Sequence, residues 1–127
     1  MIKLKSLLVE RIDYHDTAEY LVKQYKLRSK VTFGKVKGTN EADYDWVKDI
    51  INLKKSYSSI KEFVVSVLHE IDHANMRKEK GWRKYEREYI QAGQDVSDKG
   101  RDFHDDNPFE EDAEKWAKKE LSKWVKK

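Results

Sequence analysis

Residues 59–81 read SIKEFVVSVLHEIDHANMRKEKG, and the rest of the chain is best understood outward from them. Ser59 followed by Glu62 makes a capping box, the pattern in which two side chains satisfy the free amides of a helix start. Ile60, Phe63, Val64, Val67, Leu68 and Ile71 then recur at the spacing of one helix face, so the stretch predicts an amphipathic helix that fades near Lys80 and stops at Gly81. Inside that helix His69, Glu70, Ile71, Asp72 and His73 spell H-E-x-x-H. Residues four apart on a helix lie one above the other, so both imidazoles can reach one metal ion while the glutamate projects beside them toward metal-bound water. On a helical wheel the two histidines fall opposite the apolar stripe, on the side of Glu62, Val65 and Ser66. This is the arrangement of a helix whose back packs on a sheet and whose front lines a cleft.

Two histidines leave a catalytic zinc site short of a ligand, because such a site normally has three protein ligands and an open position. The chain has no cysteine, so the third must be another histidine or a carboxylate. A final helix starts clearly, with Asn107 as N-cap, Pro108 at the first position and acidic residues in the first turn. Its apolar arc runs through Phe109, Ala113, Trp116, Ala117, Leu121, Trp124 and Val125. Glu110 and Glu114 fall inside that arc, whereas Glu111 and Asp112 fall outside it. A carboxylate on a buried face is costly unless it is paired or metal-bound. Glu110 is therefore the expected third ligand and Glu114 its neighbour in the surrounding shell.

Elsewhere the punctuation is sparse, with five Gly and one Pro in 127 residues, and one domain spanning 1–127 is expected. Asp16 with Glu19 predicts a helix from about Thr17 to Leu27. Alternation around Phe33 predicts a strand over Val31 to Lys37 that turns at Gly38, Thr39 and Asn40. A second strand is expected over Asp49 to Lys55, and Ile2 with Leu4 adds a further strand or an extended arm. A short helix is read over Trp82 to Ile90 and a loop over Gln91 to Asp106. The 27 basic and 24 acidic residues nearly cancel, so charge names no partner. No apolar run reaches membrane-spanning length, and the opening MIKLKSLLVE lacks the pattern of a secretory signal, which places the protein in the cytosol.

LHEIDHA and NPFEEDAEKWAKKEL together resemble the two metal-binding helices of zincin metallopeptidases of the gluzincin branch, in particular small stand-alone ImmA/IrrE-like domains and minimal gluzincins of bacteriophages. The resemblance covers roughly Asp49 to Leu121 and implies an α+β fold: an N-terminal helix, a small mixed sheet whose edge strand could hold an extended substrate, then the two metal helices. It implies His69, His73 and Glu110 as ligands of Zn2+, Glu70 as general base, and Glu114 as the carboxylate that orients His69, although many relatives have Asp or Asn at that last position. The implied reaction is hydrolysis of a peptide bond in a peptide or protein, with a narrow target expected for so small a domain. Tyr85, Tyr89 and His104 are open candidates for stabilising the oxyanion.

Two other readings differ in ligand or in chemistry. Lys99, Gly100, Arg101, Asp102 and Phe103 loosely resemble a segment of SprT-like proteases, which act on proteins crosslinked to DNA, but there a histidine stands where this chain has Lys99, and only His104 could substitute. A zincin-like module that binds a partner without catalysis is the non-enzymatic alternative. A nucleic-acid surface over Arg77, Lys78, Lys80, Arg83, Lys84 and Arg87 is disfavoured, because Glu79, Glu86 and Glu88 alternate with these residues as on a solvated helix face.

Overall fold

In the computed structural model, which describes residues 13–36, 38 and 40–125, the chain forms a small α+β domain of four helices and a three-stranded mixed sheet among those residues. The readings placed on Ile2, Leu4, Lys37 and Thr39 lie outside the described residues. Helix α1 (Tyr14–Gln24) leads to strand β1 (Lys30–Phe33), then β2 (Ala42–Asp45) and β3 (Ile50–Leu53). Helices α2 (Ile60–Lys80), α3 (Trp82–Asp98) and α4 (Pro108–Trp124) follow. No helix among the described residues is long and apolar enough to cross a membrane.

The sheet runs β1-β3-β2, with β1 parallel and β2 antiparallel to the central β3. Alternation on β3 explains its central place. Ile51 and Leu53 are fully buried and point toward the helices, whereas Asn52 points to the other face, where its side chain bonds Thr32 and Asp43. Facing the sheet, α2 buries Phe63, Val64, Val67, Leu68 and Ile71, joined by Ala18, Leu21 and Val22 of α1 and by Ala117 and Trp124 of α4. The Ser59 cap and the apolar stripe thus place α2 between the sheet and α4, the helix it packs along, while the Glu62 carboxylate accepts from the Ser58 hydroxyl rather than from Ser59 N.

Several boundaries differ from expectation, each for a local reason. Helix α1 starts at Tyr14, not Thr17, because Asp13 rather than Asp16 is the cap: its Oδ1 accepts from Asp16 N at 3.1 Å. It ends at Gln24, since Lys26 adopts φ 59° and turns the chain so that Leu27 N bonds back to Val22 O. Strand β1 stops at Phe33, where Gly34 takes φ 81°. Strand β2 has no counterpart in the sequence reading, for its ADYD carries one buried aromatic among acidic residues. What makes it a strand is the turn after it, where Asp45 accepts from Val47 N and Lys48 N at 3.0 Å each and Asp49 takes φ 59°. Helix α3 runs through to Asp98, and the loop is confined to residues 99–107. Its buried stripe is Tyr85, Tyr89 and Gly93, one turn apart; Gly93 sits mid-helix because a Cβ there would come within 2.6 Å of the Phe103 ring. A glycine that resembles loop punctuation is instead a packing notch.

Candidate metal centre

The fold brings one turn of α2 against the first turn of α4. Gly81 ends α2 at φ 83° and serves at once as N-cap of α3, so α3 turns back along the histidine face. Asn107 opens α4, its Oδ1 accepting from Phe109 N at 2.9 Å, which aims Glu110 inward one turn later. His69 Nε2 and His73 Nε2 lie 2.7 and 2.9 Å from the same oxygen, Glu110 Oε1. These three residues form a buried group whose ligand atoms lie within 4.8 Å of one another and could hold a metal ion. Glu111 and Asp112 are exposed. The only other such group among the described residues, His15, Asp16 and Glu19 on α1, is largely exposed.

The histidine face is less open than the wheel predicts. His69 lines a cleft of about 730 Å3 together with Ala42, Val65, Glu70, Glu110 and Glu114, but His73 and Glu70 are only 4% and 5% exposed. Helix α3 covers His73. The Tyr85 hydroxyl stands 2.7 Å from His73 Nδ1, and the Tyr89 hydroxyl donates to Glu110 Oε2 at 2.5 Å. Trp46 packs against both tyrosine rings and lines with them a smaller, open pocket of about 270 Å3 that adjoins the cleft. On the cleft side Glu114 Oε1 lies 3.2 Å from His69 Nδ1. Each imidazole therefore has a partner on Nδ1 and turns Nε2 to the centre, the orientation that outer partners of metal-binding histidines impose.

The electrostatics favour positive charge at that centre. Burial pulls the His69 imidazole down, but the Glu110 hydrogen bond and the charges of Glu70 and Glu110, with the Glu114 contact, outweigh it and push its pKa up to about 9. Burial opposes ionisation of Glu110 too, yet hydrogen bonds from His69 and His73 hold its carboxyl well below the usual carboxylate range. Two imidazole nitrogens and an ionised carboxylate in a negative field suit a borderline divalent cation such as zinc. Glu70 differs: burial pushes its carboxyl above the ordinary range, against the pull of His73 and His69. Tyr85 and Tyr89 are likewise raised, burial first and Glu110 second, so both phenols stay protonated.

Of the three oxyanion candidates, Tyr85 and Tyr89 are tied to His73 and Glu110, contacts that the sequence reading did not anticipate. Their i, i+4 spacing, matching that of His69 and His73, is the signal that points to a shared face. His104 is half-exposed, lines both cavities and sits 3.3 Å from Glu110 Oε2, outside the converging group. Lys99 is exposed at the end of α3, and Phe103 fills the Gly93 notch. Comparison with family models, with curated proteins and with solved structures returns no match.

Proposed function

We propose that this chain is a zinc-dependent metallopeptidase of the zincin type, gluzincin branch, acting on a peptide or protein. The observation that carries this reading is the convergence of His69 Nε2, His73 Nε2 and Glu110 Oε1 beside Glu70 at the floor of a cleft. His69, His73 and Glu110 would hold the metal, which when bound lowers the pKa of a water and polarises a carbonyl. Glu70, buried and raised in pKa, takes a proton from water in the cleft and hands it to the departing amine. Glu114 fixes the His69 ring by accepting from Nδ1. Among the described residues strand β2 pairs with β3 along one side only, and the backbone groups of its other side offer an extended peptide a partner next to Ala42.

The SprT-like and nucleic-acid readings draw less support. Glu110 rather than His104 completes the converging group. In the basic run, Arg77 donates to Trp46 O, Lys78 to Lys26 O, and Lys80 pairs with Glu88. These are structural duties.

The test is metal content of the full chain purified without chelator, alongside Glu110→Ala and Glu111→Ala. About one zinc per chain, lost in the Glu110 variant and kept in the Glu111 variant, is the expected result. Glu70→Gln should keep the metal and abolish turnover, which also makes it the variant with which to trap a substrate. A wild type that takes up no zinc even after add-back would sink the reading and leave a binding module.

A further inference from the structure

The two oxygens of Glu110 have different surroundings. Oε1 faces both imidazoles, 2.7 Å from His69 Nε2 and 2.9 Å from His73 Nε2. Oε2 faces away from them, accepting from the Tyr89 hydroxyl at 2.5 Å, with His104 Nε2 3.3 Å away. A carboxylate can hold a cation through one oxygen or through both. With three protein ligands, a second oxygen from the same carboxylate would occupy the position that a catalytic zinc keeps for water.

Tyr89 is fixed against Glu110 at the level of the backbone. Its ring stacks on Phe109 and on Tyr85, each at 5.9 Å, and the residue is buried. Its carbonyl accepts from Asn107 Nδ2 at 3.1 Å. Asn107 is fully buried, and its own carbonyl accepts from Glu110 N at 2.9 Å. One residue thus ties the chain of α3 at Tyr89 to the chain of α4 at Glu110. A neutral phenol donates one strong hydrogen bond to a carboxylate and is strengthened by a dry setting. Without that bond Oε2 would keep only the longer contact to the half-exposed His104, and could turn to a nearer cation.

The geometry points to Tyr89 as the positioning residue that restricts Glu110 to a single metal-facing oxygen, Oε1, and so keeps one position of the centre open. This inference rests on the metal centre of the proposed function. Tyr89 acts through Glu110 and does not touch the metal, so its effect is on coordination number rather than on binding as such.

The experiment compares wild type, Tyr89→Phe and, as control, Tyr85→Phe, each as the full chain loaded with zinc for crystallography and with cobalt for visible absorption. The wild type should hold its metal through Glu110 Oε1 only, with Tyr89 on Oε2. Tyr89→Phe should keep the metal but engage both oxygens, and the cobalt spectrum should lose intensity as the coordination number rises. Tyr85→Phe should leave the coordination number unchanged. A wild type with both oxygens on the metal overturns the inference even if the variant fails to fold. An unchanged spectrum in Tyr89→Phe, or loss of its metal, overturns it as well. A wild type that binds no metal is a different failure, visible in the stoichiometry, and fells the metal centre itself.

Discussion

The Tyr85 hydroxyl stands 2.7 Å from Nδ1 of His73, so the deeper imidazole leans on a neutral phenol, while His69, nearer the cleft, leans on the Glu114 carboxylate at 3.2 Å. The difference follows burial, since Tyr85 is 1% exposed and a second carboxylate there would carry an uncompensated charge. With Nε2 turned to a metal, each Nδ1–H must find an acceptor, and both of these partners provide one. Tyr85→Phe and Glu114→Gln should each weaken metal affinity, by about 10–100-fold for such outer partners. Chelator competition measures this. Wild-type affinity in Tyr85→Phe would show the contact to be packing only.

Gly93→Ala offers a test of the loop that carries Phe103 and His104. In an ordinary helix interior the change would stabilise by about 0.5–1 kcal/mol. Here the new Cβ would meet three Phe103 ring atoms at 2.6–2.7 Å. The loop cannot yield freely, because Asp102 accepts from His104 N and Asp105 N, while its own N donates to Asp106. Phe103 is 37% exposed and its ring tip can swing outward, so a net loss of about 1 kcal/mol, the low end for overpacking, is expected in urea unfolding. Adding Phe103→Ala should recover part of it, and additive losses in the double variant would contradict the notch.

The convergence of His69, His73 and Glu110 was legible in sequence because each member sits in a helix with unambiguous signals: the Ser59 cap, the apolar stripe of α2, and the Asn107–Pro108 start of α4. A wheel then suffices to aim Glu110 inward. What was not legible depended on contacts between elements. Strand β2 exists through the Asp45 turn and its pairing with β3, not through its own ADYD. Helix α3 extends past Ile90 because its inner stripe, Tyr85, Tyr89 and Gly93, finds partners on α2, α4 and the 99–107 loop, and nothing in its polar outer face announces them. The roles of the two tyrosines follow from that packing.

Asn107 makes two separable contributions, one to its own helix and one to α3. Its Oδ1 caps α4 and its Nδ2 holds Tyr89 O. Asn107→Ala should cost about 0.5–2 kcal/mol for the cap, with a smaller further loss for the second hydrogen bond that Tyr89 O accepts beside its helical one. Asn107→Asp keeps a capping oxygen but replaces the donor by a second acceptor facing Tyr89 O. It should therefore be the worse choice here, although Asp is as good a cap as Asn in general. Denaturation midpoints at neutral pH decide it: if Asn107→Asp matches wild type, the link to Tyr89 carries no weight.

At the opposite end of α4, the Tyr25 hydroxyl donates to Glu120 Oε1 and accepts from Trp124 Nε1, both at 2.9 Å. Burial, and secondarily the Glu120 contact, push its pKa up to about 12 from an ordinary 10.0, against the opposing pull of Trp124. A phenol that ionises less readily when folded lends stability that is fully present below the unfolded pKa. That contribution begins to fade above about pH 10 and is lost as pH rises through about 12. Wild type should therefore be more stable than Tyr25→Phe at pH 8, and the gap should shrink as pH is raised toward 12. Subtracting the two urea midpoints at each pH removes the contribution of the other tyrosines. A gap that stays constant or widens over that range would mean that the Tyr25 proton is not held by the fold.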